Sequence, residues 1–310
     1  MLVLVLGAGG TGGYFGGRLA QAGADVTFLV RPARAALLRE RGLRIRSALG
    51  DAQLAVAAVT TEGLASLPPF DLVVLSCKAY DLDSAMDAIA PAVGPRTAVL
   101  PILNGLLHYD ALDARFGRAQ VLGGLCFISA TLGADGEVVH MGGPASITFG
   151  LREGNADTGV LAQLASVYAA AGIDHLLAPD IARAQWIKFS FLAALAAATC
   201  LMRSSVGGIV AAEDGEAFMV ALHEECLAIA AAEGQPIPQT DAQVARGHLT
   251  RAGSPVTASM LRDLQAGAPV EALQIVGDMV HRAHRAGLSV PRLEAAWTHL
   301  QAYEAARPAG

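Results

Sequence analysis

Lys188 is the residue whose type and setting first suggest chemistry. It is the only charged group in QWIKFSFLAALAAATCLM at 185–202, beside Trp186, Ile187, Phe189, Phe191 and Leu192 and ahead of a ladder of alanines. An unpaired ammonium is costly to bury, so such a lysine pairs, extends its head into water or gives up its proton readily. Two readings stand open. The stem lies along a helix surface with a solvated head, or the amine is kept in an apolar setting to move a proton. A charge in such a place is by itself only a probabilistic sign of function.

A second chemical signal sits at the N-terminus. Gly7, Ala8, Gly9, Gly10, Thr11 and Gly12 fit GxGxxG directly after an apolar run and at the opening of a helical segment. In that context glycines allow the tight turn and let the backbone approach a pyrophosphate at the helix N-terminus. The end of the next strand reads Leu29-Val30-Arg31-Pro32, with Arg34 close by and no acid for an NAD ribose. An arginine there suits a 2′-phosphate, so NADP(H) is the expected cofactor. Two further strand ends carry polar groups: Val73-Val74-Leu75-Ser76-Cys77-Lys78, and Val99-Leu100-Pro101-Ile102-Leu103-Asn104-Gly105. Ligands of open α/β sheets sit beyond the carboxyl ends of strands, which places Lys78 and Asn104 near the cofactor. A surface lysine and a plain Asn-Gly turn are the alternatives.

The elements that must position these groups differ between the two halves. Strand-like runs at 2–6, 26–30, 43–46, 54–59, 72–75, 97–100, 121–130, 138–140 and 145–149 are interleaved with helical patterns at 12–21, 33–41, 83–90, 106–116 and 161–171. Alternation of this kind specifies an α/β doubly wound, mostly parallel sheet. After Pro179 the pattern becomes helical, with Asp180 as an N-cap and the clearest helices at 213–233, 271–286 and 291–305. The chain therefore divides into a Rossmann domain at 1–179 and an all-α domain at 180–310.

Composition narrows the class. The 310 residues are 53% hydrophobic and 16% charged, with a formal net charge of −6, which argues against a nucleic-acid partner. Cys77, Cys126, Cys200 and Cys226 are scattered and form no CxxC pair, as suits a reducing cytoplasm. The apolar run before Gly7 is too short for a signal peptide, and the stretch at 191–202 is shorter than a membrane span. His281 and His284 could share a helix face but lack a third ligand, His140 and His223 add none, and no metal is expected. Glu224 and Glu225 read as a solvated helix face. Apolar patterning in the helical half would allow a homodimer without fixing its interface.

Taken together, GAGGTG at 7–12, Arg31, CKA at 77–79, Asn104-Gly105, WIK at 186–188, and Ser259-Met260-Leu261-Arg262-Asp263 followed by Glu271 resemble the ketopantoate reductases (2-dehydropantoate 2-reductases) over nearly the whole chain. The resemblance implies hydride delivery from NADPH to the carbonyl carbon of a 2-oxo acid, in a cleft between the domains, within pantothenate biosynthesis. It implies that Lys188 is the general acid and that Glu271 bonds the substrate and helps hold the lysine. Asn104 would orient the substrate, Ser259 would bind its carboxylate, and Lys78 would contact cofactor or substrate. Lys78, Asn104 and Glu271 would touch the cofactor as well. An apolar surround makes a lysine a better proton donor near neutral pH.

The chain departs from the family pattern in one respect. The pantothenate-pathway enzymes carry asparagines four and eight residues after the lysine, where this chain has Leu192 and Ala196. Those positions share a helix face with Lys188. An apolar wall there would favour a more apolar 2-oxo acid than ketopantoate. Two other readings use the same architecture: a 3-hydroxy acid or 6-phosphogluconate type of dehydrogenase, and an NADP(H)-binding sensor without turnover.

Overall fold

The computed structural model describes residues 1–155 and 157–307. Residues 156 and 308–310 of the two expected domains thus lie outside the described part. The chain forms two compact units, one of Met1–Leu103 with His108–Ile181, the other of Asn104–Leu107 with the chain from Ala182 onward.

The first unit is built on a five-stranded sheet in the order Ala57–Val59, Asp25–Leu29, Leu2–Leu6, Leu72–Leu75, Ala98–Pro101. Every neighbouring pair is parallel. Leu72–Leu75 and Ala98–Pro101 are buried along their whole length, as strands covered on both faces must be. Two smaller sheets complete the unit. One runs Ala52–Leu54, Leu43–Arg46, Val138–His140, Ala130–Leu132, and the other Asp174–Leu177, Ser146–Gly150, Gly123–Phe127.

Several expected elements are redrawn. The run at 121–130 divides into Gly123–Phe127 and Ala130–Leu132, which join different sheets. The run at 54–59 divides likewise: Ala52–Leu54 makes a hairpin with Leu43–Arg46, while Ala57–Val59 joins the main sheet. Asp174–Leu177 is a strand with no alternating pattern, because as an edge strand it leaves Leu176 and Leu177 exposed.

The second unit is helical. Its centre is the helix Ile181–Met202, whose Phe189, Ala193, Ala196, Ala197 and Cys200 lie in one core with Met219, Leu222, Cys226, Val276, Met279 and Leu293. Alanines at successive turns let neighbouring side chains approach the helix closely. At 22 residues this helix is longer than the apolar stretch at 191–202 and has the length and composition of a membrane span, yet 67% of its most apolar window is buried inside the protein.

The helix expected at 213–233 runs Gly215–Ala232. Glu225 on it is buried rather than solvated: its carboxylate accepts from the Arg292 and Leu293 amides at 3.1 and 2.9 Å, capping the N-terminus of Pro291–Ala306. Glu224 is exposed and meets Arg246 at 3.1 Å. The single helix expected at 271–286 is interrupted by a π turn, Leu273–Gly277, before Asp278–Arg285.

His223 gives this unit a built-in acid sensitivity. It is 1% exposed, and its Nδ1 has no hydrogen-bond partner among the described residues. Burial, with Arg246 adding to it, lowers its pKa from 6.5 to about 4. Between those values the unfolded chain takes up a proton that the folded chain refuses, so stability present above pH 6.5 is lost on the way down to pH 4. The loss is on the order of 3 kcal/mol. His223→Leu is expected to flatten the fall in urea midpoint between neutral pH and pH 4. An unchanged fall would assign the acid sensitivity to other groups.

Candidate functional site

In the first unit the strand Leu2–Leu6 ends at Gly7, whose φ is +89° and whose amide donates to the Leu29 carbonyl at 2.9 Å. The helix Gly10–Gln21 follows, with Gly9 as N-cap and no side chain capping it. Its first amides are therefore left for another acceptor. A Cβ at Gly9 would meet nothing within 4 Å, so the backbone faces open space there. A Cβ at Gly12 would instead overlap Ser76 Oγ and lie 2.5 Å from the Gly7 carbonyl oxygen. Gly12 thus lets the helix pack on the strand ends, while Gly9 leaves room for a ligand.

The open space is a cavity of about 640 Å³ lined by Gly7, Ala8, Gly9, Arg31, Thr60 and Asp81 among others. That is within the usual range for a small-molecule site. Free helix N-terminal amides, an unfilled glycine and an adjacent guanidinium together fit a dinucleotide phosphate group.

The two arginines take different parts. Arg34 donates to the Ala8 carbonyl at 2.7 Å and to the Gly136 carbonyl at 2.6 Å, and burial lowers its pKa. Its fork is engaged in holding the glycine turn. The Arg31 side chain is 87% exposed and lies 4.0 Å from Asp81. Arg31 is the guanidinium at this cavity that can turn to a ligand. Thr60, Asp81 and Ser76 were not singled out from the sequence. Ser76, whose hydroxyl donates to the Leu6 carbonyl at 2.9 Å, could have been found as the polar residue ending a buried strand. Lys78 is half-buried at the start of the short turn Ala79–Asp81, and Thr11 is half-buried in the first turn of its helix.

In the second unit Lys188 is 8% exposed, so its head does not sit in bulk water. Its Nζ donates to Asn104 Oδ1 at 3.2 Å. Read as sequence, Asn104 belongs to the first domain and the cofactor; the structure groups residues 104–107 with the unit that carries Lys188. Accepting through Oδ1 leaves the Asn104 amide nitrogen free to donate elsewhere. Glu271 is 4% exposed and lies just ahead of the π turn. Ser259 is half-buried and opens the helix Ser259–Gln265. Leu192 is half-buried and Ala196 fully buried. Among the hydroxyls of this helix, Ser190 and Thr199 donate to the carbonyls of Trp186 and Leu195 at 2.8 and 2.7 Å.

His281 and His284, considered as a ligand pair, have other partners. His284 pairs with Glu294 at 2.8 Å and His281 packs edge-on against Trp297. Among the described residues no three His, Cys, Asp or Glu side chains converge.

Comparison with known proteins covers both units. The family model Ketopantoate reductase PanE/ApbA matches residues 3–154, and Ketopantoate reductase PanE/ApbA C terminal matches residues 180–304. The Bacillus subtilis (strain 168) protein named Uncharacterized oxidoreductase YkpB is 34% identical over 305 residues, spanning 98% of this chain and 99% of its own. The 2-dehydropantoate 2-reductase of Halobacterium salinarum is 30% identical over 292 residues, spanning 94% and 95%. Among solved structures, the 2-dehydropantoate 2-reductase from Methylococcus capsulatus superposes with a TM-score of 0.88 at 29% identity, covering 100% of this chain and 99% of that one.

Proposed function

Because the chain belongs to the ketopantoate reductase family, we propose that it is an NADPH-dependent reductase of a 2-oxo acid, with Lys188 as the proton donor. The observation that carries this reading is a buried lysine whose Nζ donates to the Asn104 carboxamide, Oδ1 at 3.2 Å. When bound, NADPH supplies the hydride that becomes the C2 hydrogen of the product.

The chain's own residues do the rest. The uncapped helix N-terminus behind Gly9 takes the pyrophosphate, and Arg31 takes the 2′-phosphate. Lys188 gives a proton to the carbonyl oxygen as negative charge develops there, becoming a neutral amine that regains its proton from solvent. Asn104 holds the lysine through Oδ1 and offers its amide N–H to the substrate. Glu271 bonds the substrate and helps hold the lysine, Ser259 donates to the substrate carboxylate, and Lys78 adds positive charge for an anionic ligand. The overall change is 2-oxo acid plus NADPH and a proton to 2-hydroxy acid plus NADP⁺.

Ketopantoate, reduced to pantoate in pantothenate biosynthesis, is the first substrate to test. A second reading, a more apolar 2-oxo acid, is favoured by Leu192 and Ala196 on the Lys188 face and by hydroxyls of the helix already bonded to its own carbonyls. NADPH consumption and 2-hydroxy acid formation across a panel of 2-oxo acids test both.

Ketopantoate should be compared with its analogue lacking the hydroxyl. A site built to bond that hydroxyl would reject the analogue by about 10⁴–10⁵ in kcat/KM. An apolar wall predicts a ratio within roughly 10² of unity, or an inverted preference. NADPH binding without turnover of any 2-oxo acid would leave the sensor reading in place.

A further inference from the structure

Asn104 is followed by Gly105, and that glycine is seated against another part of the same unit. Gly105 has a φ of +77°, a conformation L side chains rarely adopt. A Cβ there would overlap the Gln274 carbonyl oxygen and lie 3.1 Å from the Gln274 carbonyl carbon. Gln274 is the second residue of the π turn Leu273–Gly277, which starts two residues after Glu271. A π turn inserts one residue into the helical ladder and so displaces a carbonyl from its regular place, a device that recurs at functional sites. The other end of the turn is also closely packed, though less tightly: a Cβ at Gly277 would lie 3.0 Å from the Trp297 ring and 3.2 Å from Leu273. Leu106, the next residue after the glycine, packs on the helical core.

From these contacts we infer that the π turn and Gly105 form a seat that fixes Asn104 against Lys188, and that Gly105 and Gly277 are positioning residues for the proton donor. The inference rests on Lys188 being that donor. The Asn104 side chain reaches Lys188 from a short connection, and backbone close packing, rather than side-chain bonding, sets where that connection lies. An α-helical ladder at 273–277 would move the Gln274 carbonyl and with it the floor under Gly105. The sequence element expected as one regular helix at 271–286 would therefore place Asn104 differently.

The test is a set of variants assayed with NADPH and whichever 2-oxo acid the wild type turns over. Gly105→Ala must push the connection away from Gln274, and a displacement of about 1 Å at a reacting group costs on the order of 10² in rate. We expect kcat to fall by about that factor with at most a small change in the NADPH dissociation constant, since the glycine turn and Arg31 are left in place. Asn104→Ala should fall comparably, and the double variant should be no slower than the worse single one, because both remove the same contact. Gly277→Ala, whose neighbours need give only a few tenths of an ångström, should show a smaller fall of the same kind. It decides the matter if Gly105→Ala does not fold. Gly234→Ala serves as the control: its φ is +75° with nothing within 4 Å, so it carries the backbone strain alone and should lower the melting temperature while leaving kcat in place.

Unchanged kcat in both Gly105→Ala and Gly277→Ala, or losses that multiply with that of Asn104→Ala, would overturn the inference. Loss of turnover in Lys188→Ala alongside such a result would leave the reductase reading standing. A wild type that turns over no 2-oxo acid would remove the donor role and the seat together.

Discussion

Lys188→Ala is expected to lower kcat by about 10²–10⁴, the range for losing a positioned general acid, while leaving NADPH binding as it was. Lys188 is 8% exposed and bonded to Asn104 at 3.2 Å, in a helix whose Trp186, Phe189, Ala193, Ala197 and Cys200 lie in the apolar core. Two further substitutions separate proton donation from support. Lys188→Arg keeps the charge, but a guanidinium does not release its proton near neutral pH, so its kcat should fall nearly as far as that of the alanine variant. Lys188→Met removes the proton donor and keeps the apolar stem, so activity should be lost while NADPH binding is kept. A lysine serving only to brace the fold would show the opposite: preserved turnover in Lys188→Arg.

Arg31→Ala should have the next largest effect, and on one coenzyme only. A hydrogen bond to a charged group contributes about 1.5–3 kcal/mol, which corresponds to a loss of roughly 10–150-fold in kcat/KM for NADPH. NADH, lacking the 2′-phosphate, should be used by the variant as by the wild type. Arg31 is 87% exposed, so its contribution should shrink as salt is added. Arg34→Ala makes the contrast. Arg34 holds the Ala8 and Gly136 carbonyls rather than facing a ligand, so its removal should loosen the glycine turn and weaken both coenzymes. Steady-state kinetics with the two coenzymes at two ionic strengths distinguish these cases. An Arg31→Ala variant that loses NADPH and NADH in equal measure would mean that the arginine shapes the pocket instead of reading the phosphate.

The elements of the parallel sheet were legible because their physics is local. Leu2–Leu6 and Leu72–Leu75 are continuous apolar runs bounded by turn residues, and GAGGTG has a known backbone purpose in that setting. Lys188 could be singled out because a charge among apolar neighbours is conspicuous in any window. What could not be read depends on contacts distant in sequence. Asp174–Leu177 becomes a strand only because Ser146–Gly150 offers it an edge. The buried carboxylate of Glu225 looks like one of two solvated acids until the N-terminus of Pro291–Ala306 arrives above it. Arg31 and Arg34 are indistinguishable as residue types, and only the Ala8 and Gly136 carbonyls separate them. The π turn at Leu273–Gly277 has the composition of ordinary helix, and Asn104 lies in the first half of the chain while its hydrogen-bond partner lies in the second.

Label transfer tests the central claim most directly. Purified protein would be incubated with NADPH deuterated at the transferring position of the nicotinamide, together with ketopantoate and a panel of other 2-oxo acids, and the products read by mass spectrometry. Deuterium on C2 of a 2-hydroxy acid, formed one for one with NADP⁺ and slowed by at least about 10² in Lys188→Ala, is the expected result. Tight NADPH binding with no label in any 2-hydroxy acid would contradict it and make the chain a nucleotide-binding protein whose buried lysine serves another end.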